Sequence, residues 1–393
     1  MRPSIAIAGA GPAGTSLAIR LAQQGFEVTL IERETFPRHK LCGEFISPEC
    51  LSHFEDLGVL DDMLSGGGER IAETRFYAPG GRSFGVSSGA FHGQGFALSL
   101  SRAEMDMRLL DRAKALGVIV HEDAGVNGVT VDKNKLLGLT IRRGNGEKAE
   151  IAADLFVDAT GRSRILSKLA AKKNEDERET VRRSLFVGFK THLQGASVAK
   201  NTCEIYSFTG GYGGLSPVEI GLTNYCFLIR SSTAREFGGN ADEIIKKLVF
   251  RNKRAAETLR HAEPVREWLA VSIDSFGRAK PTSVANLFSV GDSASFIDPF
   301  TGSGMLIAFE SAALLSEAVV LNPFSPNEIK ADYQANYGRR FAARLRVCSI
   351  LRGAAFVPYL PTLVISLLNL SRRSRNLLAD ATRSPRVKSP RIR

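Results

Sequence analysis

Short apolar runs alternate with helically spaced apolar positions from the start of the chain. Residues 4–8 form an apolar run that stops at Gly9. Residues 15–24 carry Leu17, Ala18, Leu21 and Ala22 at helical spacing, and residues 28–31 are apolar again. Strand, glycine turn, helix and strand in that order predict a βαβ unit. Residues 101–116 read as an amphipathic helix with Met105, Leu109, Leu110 and Ala113 on one side, followed by a strand at 118–121. Strands are predicted at 129–131 and 137–141, and a further one at 154–158 leads into Ala159–Gly161. From about 184 to 273 the pattern alternates, as in 185–191 and 225–229, which predicts antiparallel strands. A buried-strand pattern returns at 286–290, followed by a loop at 291–302 and a long apolar helix at 303–320. The predicted fold is α/β. A discontinuous Rossmann-like nucleotide domain (1–75, 98–175 and 277–338) carries an inserted, largely antiparallel β substrate domain (76–97 and 176–276). A C-terminal helical segment (339–370) and a basic, disordered tail (371–393) follow.

The first candidate site is Gly9-Ala10-Gly11-Pro12-Ala13-Gly14, with Glu32 closing the next strand 18 residues past Gly14. Gly9 permits the tight turn, Gly11 lets backbone approach a pyrophosphate, and Gly14 allows close packing. Glu32 stands where an acid bonds ribose hydroxyls. That pattern does not separate NAD from FAD. The second site makes the separation: Leu287-Phe288-Ser289-Val290-Gly291-Asp292, then Asp298-Pro299-Phe300-Thr301-Gly302-Ser303-Gly304-Met305 and the apolar helix. An aspartate at a strand end suits the ribityl hydroxyls of a flavin, and a helix start aims N–H groups at the pyrimidine edge, where reduced flavin is anionic.

On these residues the chain resembles the FAD-dependent oxidoreductases of the p-hydroxybenzoate-hydroxylase type. Within that group it is most similar to the geranylgeranyl reductase family, with flavin-dependent halogenases as cousins. The resemblance covers about 1–170 and 280–340. It implies FAD contacts from Arg33, Arg102 in Ser101-Arg102…Asp106, Val126 beside the adenine, and Asp158 and Gly161 in the 158–164 segment. It also implies contacts from Gly291, Gly302, Gly304 and Met305. The run Phe36-Pro37-Arg38-His39-Lys40-Leu41-Cys42-Gly43-Glu44 resembles one that brings a cysteine near the flavin in the reductases. That adds Arg38, Cys42 and Gly43 as cofactor contacts. Cys42 reads either as a flavin-tuning or proton-donating thiol or as a small buried hydrophobe. Arg38 and Lys40 read either as partners of NAD(P)H or substrate phosphates or as a solvated basic loop. Residues 210–217 stand where the relatives carry an aromatic-rich segment over the flavin, giving Tyr212, Gly213, Gly214 and Pro217, with Pro299, as the substrate pocket. Tryptophans are absent there, and the single one, Trp268, lies elsewhere. Their absence counts against a halogenase.

Charge and composition then narrow the partners. The chain of 393 residues has a formal net charge of +11. Residues 339–393 hold thirteen basic residues and one acid, a net +12, so residues 1–338 carry −1. Arginines flank a 19-residue uncharged stretch at 353–371, broken by Pro358 and Pro361. That pattern fits membrane-surface contact through 339–393 better than a spanning helix. No nucleic-acid motif accompanies the charge. Five scattered cysteines form no disulfide pattern, no metal-ligand spacing occurs, and the N-terminus reads as a strand rather than a signal peptide. The compartment expected is cytoplasmic, with the protein peripheral at the inner membrane face. The sequence has no second GxGxxG turn, so NAD(P)H is expected as a transient donor. The activity expected is hydride transfer from reduced flavin to a C=C bond of an apolar or lipid substrate. Alternatives are NAD(P)H-using hydroxylation of an aromatic or polyketide substrate, and a non-catalytic membrane-surface flavoprotein.

Overall fold

Four consecutive buried residues make Ile5–Ala8 the centre of a parallel sheet, since a strand covered on both faces reads as an unbroken apolar run. The computed structural model describes residues 2–91, 93–173, 184–274, 276–298, 300, 302–356 and 364–365. The sheet runs Leu287–Ser289, Leu155–Asp158, Ile5–Ala8, Val28–Ile31, Ile119–His121, all parallel. The chain leaves the central strand toward Val28–Ile31 and Ile119–His121, then returns on the other side as Leu155–Asp158 and Leu287–Ser289. Strand order therefore reverses between Ile5–Ala8 and Leu155–Asp158. In open parallel sheets such a reversal opens a crevice beyond the carboxyl ends of the strands. The loops after Ala8 and Asp158 meet there: Gly9 has φ 105°, and a Cβ on it would lie 2.3 Å from the Ala159 carbonyl oxygen.

The helix Pro12–Gln23 starts at that crevice, with Gly11 as N-cap, no side-chain cap and Pro12 in the first turn. Pro fits there because the first N–H groups have no intrahelical acceptor. Its buried Leu17, Ala18 and Leu21 join one core with Leu109 and Leu110 of helix Arg102–Ala115 and Phe309 and Ala312 of helix Gly304–Leu321. On the other face, the antiparallel strands Ala124–Asp132, Lys135–Arg143 and Lys148–Ala152 cover the sheet.

The second domain is an eight-stranded sheet built on Phe186–Gln194, Thr223–Arg230, Gly211–Pro217 and Thr202–Phe208. Glu73–Tyr77 and Ser83–Ser87 extend it, with Glu73–Tyr77 parallel to Thr202–Phe208. The sheet thus begins a few residues before the expected boundary at 76. Ala97–Ser99 pairs instead with Phe45–Ile46 and Glu69–Ile71 in a small sheet of its own.

The C-terminal part departs from expectation. Helix Pro326–Ala355 runs unbroken through the boundary placed at 339. It lies against Gly304–Leu321, a helix long and apolar enough to cross a membrane but largely buried inside the protein. Glu310 in that helix takes a hydrogen bond from Arg344 Nη1 at 2.9 Å and one from Arg340 Nε at 3.0 Å. Two of the five arginines in 339–352 therefore neutralise a buried acid. The uncharged stretch lies mostly, and the basic tail wholly, outside the described residues.

Candidate active site

A cavity of about 690 Å³ runs from the glycine loop to the sheet of the second domain. At one end Gly9, Gly11, Pro12 and Ala13 border it, with Glu32 and Arg33 from the next strand and Val126 from the covering sheet. Arg102, Gly161, Asp292, Gly302, Gly304 and Met305 border its middle, with Arg38, Cys42 and Gly43. Tyr212 and Gly214 reach it from the second domain. Beyond them Phe76, Phe84, Val86, Phe91 and Ile365 make an apolar chamber.

Other expected residues stand back from the cavity, each for a local reason. A Cβ on Gly14 would lie 1.9 Å from the Gly9 carbonyl oxygen, so Gly14 serves packing within the loop. Asp158 is fully buried and accepts from Thr160 N, Ser167 N and the Ser167 hydroxyl at 2.7–3.0 Å. It shapes the Ala159–Gly161 turn rather than presenting a carboxylate. Gly291 donates to Ser311 Oγ at 2.9 Å and packs on Ala13. Gly213 and Pro217 lie on the opposite face of their strand from Tyr212, Gly214 and Ser216, because successive strand residues alternate faces. A Cβ on Gly213 would meet Phe227 instead of the cavity. Pro299 lies outside the described residues.

Beneath the glycine loop runs a buried ion network. Arg102 grips Asp106 with Nε at 2.8 Å and Nη2 at 2.6 Å, and Arg38 Nη1 reaches the same carboxylate at 2.7 Å. Arg38 also faces Glu32 and the Ala10 carbonyl, while Glu32 Oε2 accepts from Ala10 N at 2.9 Å. Arg38 is thus a buried strut at the cavity border rather than part of a solvated loop, and Lys40 pairs with Glu34. Burial works against the Arg102 charge, but Asp106 and then Cys42 more than offset it and hold its pKa above the ordinary value.

Asp292 faces the cavity without a hydrogen bond from any described residue. Burial pushes its pKa up to about 6, against the pull of Arg162 and Arg102. Gly11 has an ordinary φ of −77°, and a Cβ there would meet nothing nearer than Arg102 Nη2 at 3.8 Å. Cβ atoms on Gly43 and Gly161 would meet nothing within 4 Å. At Gly11 and Gly43 the protein's own packing does not demand glycine; space beside the cavity is left for something else.

Sequence reasoning missed a group on the second domain. Lys190 and His192 on one strand, and Asn224 and Cys226 on its neighbour, press onto residues 40–44. Their i, i+2 spacing was visible, but what they face was not. Burial alone would raise the Glu44 pKa; the His192 hydrogen bond and the Lys190 charge overcome it and hold the carboxyl below its usual range. Burial, and then Cys42, pushes the Cys226 thiol up to about 12.

A family profile described as FAD binding domain matches residues 2–322. The chain is 28% identical over 358 residues to a flavin-dependent halogenase of Armillaria mellea, covering 80% of this chain and 64% of that protein. It therefore spans under two thirds of that relative's length. It is 25% identical over 403 residues to a menaquinone reductase of Mycobacterium tuberculosis, covering 96% and 92%. It is 26% identical over 328 residues to a digeranylgeranylglycerophospholipid reductase of Methanosarcina mazei, covering 80% and 74%. A solved flavin-dependent brominase is similar with a TM-score of 0.80 at 17% identity, over 97% of this chain and 93% of that one. At that identity the likeness speaks for the fold.

Proposed function

Since the chain belongs to the FAD binding domain family and is an FAD-dependent oxidoreductase, we propose that it reduces a carbon–carbon double bond of an apolar, lipid-like substrate. The observation that carries this reading is the continuity of one cavity: a nucleotide end, an apolar chamber, and Cys42 in its wall. Two relatives are named as reductases, one of them of a geranylgeranylated phospholipid.

The residues present fit FAD. Gly11 leaves backbone open to a diphosphate at a helix N-terminus, and Val126 stands at the same end. Asp292, half-buried in the cavity wall and without a hydrogen bond from any described residue, suits ribityl hydroxyls. Gly304 and Met305 open the long helix whose N-terminal N–H groups suit an anionic pyrimidine edge. Bound and reduced FAD would supply the hydride. The chain's part is to orient the substrate in the phenylalanine-lined chamber, to exclude water there, and to hold a proton on Cys42 Sγ for the second carbon of the alkene. The Tyr212 hydroxyl is engaged by Asp298, which fixes the ring between the two ends of the cavity. The donor in this reading is NAD(P)H, arriving transiently, and the substrate is met at an anionic membrane surface.

The test is anaerobic mixing of reduced enzyme with a polyprenyl lipid. Return of the oxidised flavin spectrum, with a saturated product bond, is the expected result. Reoxidation that requires O₂ and is accelerated by an aromatic compound would overturn the reading in favour of hydroxylation. Cys42→Ala should slow the anaerobic step at least about tenfold, in keeping with a positioned general acid; an unchanged rate removes the thiol from the mechanism.

A further inference from the structure

Glu44 has φ 54°, a left-handed backbone that non-glycine residues seldom adopt. It is also fully buried, in the wall shared by the two domains. Its carboxylate takes the Lys190 ammonium, His192 Nε2 at 2.7 Å and the Arg102 backbone N–H at 2.8 Å. Its carbonyl accepts from Ser99 Oγ at 3.2 Å, and its own N–H donates to Cys42 Sγ at 3.4 Å.

The partners come from one patch of the second domain's sheet. Lys190 and His192 share a face of Phe186–Gln194, and Asn224 stands opposite His192 in the register. Lys190 Nζ also donates to the Lys40 carbonyl at 3.1 Å, and Asn224 Nδ2 to the Cys42 carbonyl at 3.2 Å. A strained residue persists where its surroundings over-determine it, and such residues gather at functional sites. A buried carboxylate with this many donors costs most when one is removed.

We infer that Glu44 is a positioning residue for Cys42: Lys190 and His192 clamp its carboxylate across the domain boundary, and its backbone N–H fixes the Cys42 sulfur in the cavity wall. The inference extends the reading in which Cys42 serves the substrate. Its test reads the sulfur rather than turnover, so the two can fail separately.

The experiment is alkylation of FAD-loaded protein with iodoacetamide, followed cysteine by cysteine by peptide mass spectrometry. Glu44→Gln, Lys190→Met and His192→Leu should each raise the Cys42 rate at least about fivefold, the scale of one lost hydrogen bond. Flavin should be retained and Cys203 should remain protected. His192→Gln keeps a donor and should restore the wild-type rate. Unchanged or slower Cys42 labelling in the clamp variants overturns the inference, as does a rise at every cysteine alike, which marks general loosening. If Glu44 variants do not fold, the two His192 variants decide: equal labelling in both overturns it.

Discussion

Asp292 lines the cavity, so its ionisation is open to influence from what enters it. Burial within the pocket lifts its pKa to about 6, from 3.8. Hydroxyl donors on a ligand favour the ionised form and lower the pKa in the complex, so binding expels the proton. The sign follows: FAD affinity is full above pH 6 and falls as pH drops through about 6. Titration by flavin fluorescence should show the dissociation constant rising between about pH 7 and pH 5 in the wild type. In Asp292→Asn it should be weaker at neutral pH and flat across that range. A wild-type constant that does not move with pH would place the ribityl chain elsewhere. Gly11→Val tests the other end. The protein has room for the side chain, so thermal stability should hold while flavin retention falls at least about tenfold. Both residues were legible because spacing and chain order encode them. Asp158, expected at the cofactor, has its carboxylate engaged locally instead: it bonds residues two and nine positions on, a geometry that spacing alone does not reveal. Glu44 was quoted in its motif without a role, since its partners Lys190 and His192 lie 146 and 148 positions away.

At the scale of elements, the βαβ unit and the long apolar helix followed from periodicity, whereas the end of the molecule did not. The boundary expected at 339 rested on a change in composition, from neutral to arginine-rich. Helix Pro326–Ala355 ignores that change because two of the arginines complete Glu310 on the preceding helix. A local window shows surplus charge; the packed pair shows compensation. Breaking a buried ion pair from one side leaves an uncompensated charge, at a cost of about 3–5 kcal/mol. Arg344 is 2% exposed, but Arg344→Met leaves Glu310 with its partner Arg340, so the unfolding free energy from urea titration should fall by less than that cost, by about 1.5–3 kcal/mol. Arg346 is exposed, and Arg346→Ala should fall within about 0.5 kcal/mol of wild type. Similar midpoints for the two variants would mean that the helix pair is held by its apolar contacts alone.

For the whole molecule, the charge is a question of where substrate is met. Residues 1–338 are close to neutral, and the net +12 lies in 339–393. Some of it is already engaged, at Glu310 and where Arg352 lies over the Phe276 ring at 4.6 Å. Residues 371–393 keep eight basic residues and one acid. Each basic residue near an anionic bilayer is worth about 1 kcal/mol, and the attraction is screened within a Debye length of about 10 Å at 0.1 M salt. The apolar chamber is bordered by Ile365, a few residues before that basic stretch, so charge and chamber approach one another along the chain. The full protein should therefore sediment with vesicles containing phosphatidylglycerol at about 0.1 M salt, stay in solution with phosphatidylcholine alone, and be released near 1 M salt. A variant ending at residue 370 should keep its flavin and lose most of the sedimentation. Equal binding to neutral vesicles would assign the contact to apolar surface instead of charge. No binding to either would remove the membrane from the account and leave the basic end to another anionic partner.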